Sequence, residues 1–269
     1  MSVVMHISDT HFGTEKPEVM AALLKLAREC APDLLVLSGD VTQRARLPQF
    51  RAAQVFLKSM PVADTLVLPG NHDIPLFNLA ARFFTPYGNY RRVMGQELEP
   101  EFMSQDLLVI GVNTTRPQRH TVGSVSATQI ERVQRRLLEG QPSQLRIVVL
   151  HQPVRAIRDS DIKNLVRGHE EAVMVWAAAG ADLILGGHVH LPHVRPLVEV
   201  FPELPRPVYS ILAGTAVSRR VRGEVPNSVN LIRYSAAELP PGCTVERWDF
   251  NDGKEFFLTE RQFLPLRRP

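Results

Sequence analysis

The sequence predicts an α/β fold built on layered sheet, and three observations carry that prediction. Short apolar runs alternate with stretches of helical periodicity over the first 190 residues. Most of these runs end in Asp, Asn, His or Gly instead of continuing into another apolar residue. From about residue 205 the helical stretches stop and strand-like runs follow one another.

The elements follow in order. VVMHIS (3–8) is a short apolar run with polar residues at its end, a first strand. Residues 17–30 open on Pro17 and space Val19, Leu23, Leu24, Leu26 and Ala27 at helical intervals. DLLVLSGD (33–40) is a second strand, and 48–60 is a second helix that begins with Pro48. TLVLPGNHD (65–73) and LLVIGVN (107–113) are the third and fourth strands. Ser126 with Gln129 forms a capping-box pattern that opens a helix over 126–139. LRIVVLH (145–151) is a fifth strand, 168–179 a helix, and ADLILGGHVH (181–190) a sixth strand. Between them, 75–105 breaks the alternation with Phe83, Phe84, Pro86, Tyr87, Tyr90 and Arg91, and reads as a cap or rim whose aromatics form its own core. The late strands are 207–216, 228–234, 243–250 and 255–263, the last two joined by Asn251, Asp252 and Gly253 as a hairpin turn. Residues 1–269 read as one domain with a C-terminal β extension.

Composition narrows the function classes. Hydrophobic residues make up 44% and charged residues 22%, which fits a globular domain and not a disordered or fibrous one. No apolar run reaches the roughly 20 residues of a membrane helix, so no membrane partner is expected. The N-terminal MSVVMHISDTHFG has no basic segment followed by an apolar one, so no signal peptide is expected. Two cysteines, Cys30 and Cys243, build no disulfide framework, and a cytoplasmic location fits them. A net charge of +3 with scattered arginines supplies no long basic groove, which disfavours nucleic acid as a partner. An apolar strand such as EFFLTERQF would serve as the edge of a homodimer.

The informative residues stand at the strand ends. They are Asp9-Thr10-His11, Gly39-Asp40, Gly70-Asn71-His72-Asp73, His151 and Gly187-His188-Val189-His190. In an open α/β sheet ligands bind beyond the carboxyl ends of strands, so these groups are expected to converge. Carboxylate and amide oxygens mixed with imidazoles suit Mn, Fe or Zn, whereas Mg or Ca would be held by oxygens alone. Seven or eight such groups exceed what one ion takes, and two ions sharing a carboxylate is the natural reading.

The ordered set D-x-H, G-D, G-N-H-D, H and G-H-x-H resembles the calcineurin-like metallophosphoesterase superfamily, and within it the class III cyclic-nucleotide phosphodiesterase branch. That resemblance covers residues 9–190. It implies a four-layer α/β/β/α sandwich, with the strands after 205 in its second sheet. It implies one metal on Asp9, His11, Asp40 and His190, and a second on Asp40, Asn71, His151 and His188. His72 would then be a catalytic group and not a ligand, with Asp73 orienting its ring and Gly70 giving the turn its freedom. Asn71, His72 and Arg220 would touch the substrate. The expected reaction is hydrolysis of a phosphodiester by attack of a metal-bridging hydroxide, with a 3′,5′-cyclic nucleotide as the leading small-molecule substrate and Mn or Fe as the leading metals.

Two rival readings differ in substrate or in class. A phosphodiesterase for a nucleic-acid end, a glycerophosphodiester or a nucleotide-lipid pyrophosphate would use the same site. A non-catalytic interaction module on this fold would have lost ligands or His72, and this chain has lost none. Outside the motifs, His6, His120, His169 and His193 read as structural, with His193 near enough to edge the pocket. Arg219, Arg220 and Arg222 read as a solvated face or, alternatively, as a phosphate or lid contact, while Arg44 and Arg46 stand close enough to the Asp40 loop to reach substrate.

Overall fold

The computed structural model describes residues 1–267. Twelve strands among these residues form two six-stranded sheets. The first holds β1 (Ser2–Ile7), β2 (Leu34–Leu37), β3 (Asp64–Val67), β10 (Ser228–Tyr234), β11 (Gly242–Phe250) and β12 (Phe256–Pro265), in the order β12-β11-β10-β1-β2-β3. The second holds β4 (Glu101–Met103), β5 (Leu107–Gly111), β6 (Leu145–Val149), β7 (Leu183–Gly186), β8 (His193–Pro196) and β9 (Tyr209–Leu212), in the order β4-β5-β6-β7-β9-β8. Strands β1, β2 and β3 are parallel, as are β5, β6, β7 and β9.

Alternation within each strand explains why two sheets stack. Val4 of β1 and Leu34 and Val36 of β2 point toward Val109, Ile147, Leu183 and Ile211 of the other sheet, forming the buried seam. The intervening Val3, Met5, Ile7, Leu35 and Leu37 face outward onto α1 (Pro17–Cys30) and α2 (Leu47–Ser59). On the far side Leu108, Ile110 and Val148 pack on α5 (Ala127–Glu139) and α6 (His169–Ala178). A strand buried on both faces reads as a continuous apolar run, which is what LLVL and LLVIG are. The four layers are therefore α/β/β/α.

The late strands divide differently from the expectation. Only β9 joins the second sheet; β10, β11 and β12 extend the first, because β10 pairs antiparallel with β1. Strand β12 is the sheet's outer edge and exposes Phe257 and Phe263. The expected third and sixth strands are also shorter, since β3 stops at Val67 and β7 at Gly186. The capping box holds: the Ser126 hydroxyl accepts from the Gln129 N–H and the Gln129 amide oxygen accepts from the Ser126 N–H.

The 75–105 segment is not a self-contained cap. It contains α3 (Leu79–Phe84), α4 (Gly88–Met94) and edge strand β4. Tyr90 on α4 is buried against Phe50 of α2, and its hydroxyl donates to the Val67 carbonyl. Phe83 and Phe84, expected in a cap core, are exposed instead. A six-residue helix has too few turns to give every aromatic an inward face.

Candidate metal centre

Each ligand sits just past a strand end, where the backbone leaves the sheet. Asp9, His11, Asp40, His188 and His190 all adopt positive φ, between 42° and 70°. Left-handed backbone costs an L-residue about 1–2 kcal/mol, although Asp and His tolerate it better than most. Five such residues converging on one place mark a functional site. Gly39, at φ +107°, lies so close to His151 that any side chain there would overlap the imidazole. Gly70 has ordinary negative φ, so freedom is not its role. A Cβ at Gly70 would strike the Asp40 backbone nitrogen and carboxylate, and close approach is what it supplies.

The sequence-predicted ligands come together in two groups that share Asp40. In the first, Asp9, His11, Asp40 and His190 bring donor atoms within 4.8 Å of one another. His190 Nε2 lies 3.0 Å from Asp9 Oδ1 and 3.2 Å from His11 Nε2, and His11 Nε2 is 3.6 Å from Asp40 Oδ2. In the second, Asp40, His151 and His188 converge equally, with Asn71 Oδ1 3.1 Å from His151 Nε2. His151 Nε2 is 3.3 Å from Asp40 Oδ1. The two oxygens of Asp40 thus face different groups.

The donor set fits metal ions. His151 Nδ1–H donates to the Ser38 carbonyl, which leaves the Nε2 lone pair facing the carboxylate of Asp40 and the amide oxygen of Asn71. His190 Nδ1–H likewise donates to the Arg220 carbonyl, turning its Nε2 toward Asp9. Asp9 Oδ1 is buried and accepts no hydrogen bond. Lone pairs facing one another at these distances repel unless a cation lies among them. In the metal-free chain protons fill that role. Burial opposes charge on His151, but Asp40 and then Asp9 raise it to about 9. Burial also opposes the charge on Asp40, yet His151, His72 and His11 hold its carboxyl far below the usual range. Burial and then the charge of His151 push His188 down to about 3, so it presents a free lone pair.

His72 lies outside both groups. Its Nδ1–H donates to the Gln43 carbonyl at 3.0 Å, and its Nε2 accepts from Arg220 Nη1 at 3.1 Å. Asp73 does not orient this ring. Its carboxylate accepts from the N–H groups of Val41, Thr42 and Gly70 and from the Thr42 hydroxyl, tying the third ligand loop to the second. Burial and the neighbouring Asp40 charge push Asp73 up to about 7, against the pull of those four donors. Asp73 is therefore a structural staple, and the Gln43 backbone takes the orienting role expected of it.

The remaining residues sort by position. Arg220 Nη1 is shared between His72 and Gln43 Oε1, at the rim of the ligand groups. Arg222 donates to both oxygens of Asp161 and to the Val189 carbonyl, clamping the loop between His188 and His190. Arg219 is exposed. His6 contacts Ser38, and His169 donates to the Val166 carbonyl; both are structural. His193 is held away from the ligands at the start of β8, both ring nitrogens buried and neither hydrogen-bonded. His120, read as structural, has its ring 5.9 Å from that of His72 and lines the crevice rim. Arg44 stacks on the exposed Phe77 ring at 5.4 Å. Gln43, Ser38 and Asp161 were not legible as site residues, because backbone carbonyls and second-tier carboxylates carry no sequence pattern.

The sequence profile of the calcineurin-like phosphoesterases matches residues 2–192, which contain every residue of the two groups. The chain belongs to the calcineurin-like phosphoesterase family. A relative from Synechococcus, named a probable cyclic nucleotide phosphodiesterase, is 25% identical over 179 residues, 65% of this chain and 64% of that protein. Among solved structures, purple acid phosphatase from yellow lupin superposes with a TM-score of 0.73 at 10% identity, covering 98% of this chain and 53% of that one. A dimetal phosphatase from Danio rerio superposes at 0.65 with 14% identity over 99% of both chains. These structural likenesses show the calcineurin-like phosphoesterase fold. No helix among the described residues is long and apolar enough to cross a membrane.

Proposed function

We propose that the protein is a dinuclear-metal phosphodiesterase, with a 3′,5′-cyclic nucleotide as its leading substrate. The observation that carries the reading is the split of Asp40, whose Oδ1 faces His151 while Oδ2 faces His11. A carboxylate so placed would be shared by the two groups when each holds an ion. When bound, such a pair supplies Lewis-acid stabilisation of the phosphoryl oxygens and an activated water. Asp9, His11, Asp40 and His190 would hold one ion, and Asp40, Asn71, His151 and His188 the other; Mn and Fe suit this mixed set, as does Zn.

The chain's own residues supply the rest. Arg220 sits beside His72 with a guanidinium that can fork onto phosphoryl oxygens. His72, its Nδ1–H committed to Gln43, points Nε2 at Arg220 Nη1, and that nitrogen can hold a proton for the departing oxygen once the guanidinium turns to the phosphate. A polar cavity of about 440 Å³ adjoins His188 and His190, lined also by Ser160, Lys163, Asn164 and Arg222. It has room for the organic part of an ester, and its polar lining suits a sugar. The name of the Synechococcus relative supports the cyclic-nucleotide reading. With only two cysteines, Cys30 and Cys243, the sequence has too few for a disulfide framework, which supports a cytoplasmic setting.

The test is a substrate panel with Mn²⁺-loaded protein: cyclic AMP, cyclic GMP, 2′,3′-cyclic nucleotides, a glycerophosphodiester, single-stranded DNA and a monoester. We expect the highest kcat/KM on a 3′,5′-cyclic nucleotide. A monoester hydrolysed faster than every diester would overturn the phosphodiesterase reading.

A further inference from the structure

Helix α3 is inside out. At 100° per residue, Leu79, Ala80, Phe83 and Phe84 span its solvent face, and all four are exposed. Its single cation, Arg82, points inward, donating to the Pro75 and Arg119 carbonyls. Phe84 is 86% exposed and the preceding Phe77 is 80% exposed. An aqueous surface ordinarily puts these residues the other way round.

The surroundings of this face are basic. Arg44 and Arg46 line with Phe77 a hollow of about 420 Å³, and Arg119 adjoins through its carbonyl bond to Arg82. Stretches 41–63, 74–96 and 107–130, which flank the face in sequence or contact, contain no Asp or Glu at all. Together they carry Arg44, Arg46, Arg82, Arg91, Arg119 and several further cations.

We propose that α3 and Phe77 form a docking wedge for an anionic lipid surface. Phenyl and leucyl side chains enter the boundary of the acyl chains while the arginines around them meet lipid phosphates. This revises the expectation of no membrane partner and is independent of the substrate reading. A second copy of the chain is a poorer occupant, since a two-fold contact would set Arg44, Arg46 and Arg119 against their own copies. Single-stranded nucleic acid is poorer too, because Leu79 and Ala80 offer no face for a base to stack on. His120 follows Arg119 and its ring lies 5.9 Å from His72, so docking would seat the metal crevice beside the lipid headgroups.

The test is co-sedimentation of the full, metal-loaded protein with phosphatidylcholine vesicles, with and without phosphatidylglycerol. We expect partitioning onto the anionic vesicles only, weakened by molar salt. The double variant Phe83→Ser, Phe84→Ser should partition on the order of 100-fold less, with unchanged metal content and unchanged hydrolysis of a soluble diester. Should the double variant lose metal, Leu79→Gln alone serves, with a smaller loss expected. No binding by the wild type, or equal binding by a folded variant, overturns the proposal. So does a concentration-dependent dimer, or oligo-dT binding without vesicle binding, that the same substitutions abolish.

Discussion

Replacing Asp40 by Asn separates the charge of the shared carboxylate from its shape. The amide keeps an oxygen for the His72 N–H, which Asp40 Oδ1 now accepts at 2.8 Å, and Asn tolerates the φ of 50° at this position. What goes is the charge that raises His151. A histidine raised from 6.5 to about 9 adds stability that is complete below pH 6.5 and lost as pH rises through 9. At pH 7 that contribution is about 2 to 3 kcal/mol in the metal-free protein. In a chain of this size it corresponds to a Tm lower by roughly 5–10 °C. The assay is thermal unfolding of chelator-treated wild type and Asp40→Asn between pH 6 and pH 10, with metal analysis of the reloaded proteins. We expect the Tm gap to be widest at pH 6, to shrink as pH rises and to close above pH 9, and the variant to hold at most one ion. A gap independent of pH, or two ions retained at full occupancy, would refute the shared-carboxylate argument.

Other outcomes follow from single contacts. His72→Ala should keep both metals and lose activity by about 10²–10⁴-fold, the loss being larger for alkoxide than for p-nitrophenolate leaving groups; an equal loss on both would assign His72 to charge stabilisation alone. Arg220→Met should raise KM for anionic diesters without changing metal content, measured by steady-state kinetics alongside elemental analysis. Gly39→Ala should cost metal before it costs fold, because the new methyl displaces the His151 ring; equilibrium dialysis with Mn²⁺ reads it. His193, pushed down to about 4 by burial, binds fewer protons folded than unfolded, so its contribution is lost as pH falls from 6.5 toward 4. Wild type should therefore lose about 2 kcal/mol at pH 5 through this group, and His193→Gln should show a shallower acid limb in urea unfolding.

The strands were legible because each is short and bounded by residues that cannot continue it. LLVL and LLVIG are buried on both faces, so they read as unbroken apolar runs, and the alternation with helices follows. Which sheet a late strand joins was not legible. SVNLIRY has the same pattern whether it pairs with β1 or β9, and only the antiparallel register of Ser2 with Tyr234 decides it. The exposed phenylalanines of α3 were misread for a related reason: hydrophobicity places a residue in a core only if a partner surface exists to cover it.

The site was legible to a different depth at each tier. Ligand types at strand ends are written in the sequence, and all seven converge as expected. Their orientation is not, since it depends on five left-handed backbones and on carbonyls of Ser38 and Arg220 that any residue could supply. Asp73 shows the limit most clearly. Adjacency to His72 suggested a partner for the imidazole, yet neighbouring residues in a tight turn diverge, and Gly70, Val41 and Thr42 already supply four donors to that carboxylate. A buried acid goes where donors are densest. Here they lie in the loop behind the site, so Asp73 fixes the distance between the Asp40 and Asn71 loops, and with it the spacing of the groups that would hold each ion.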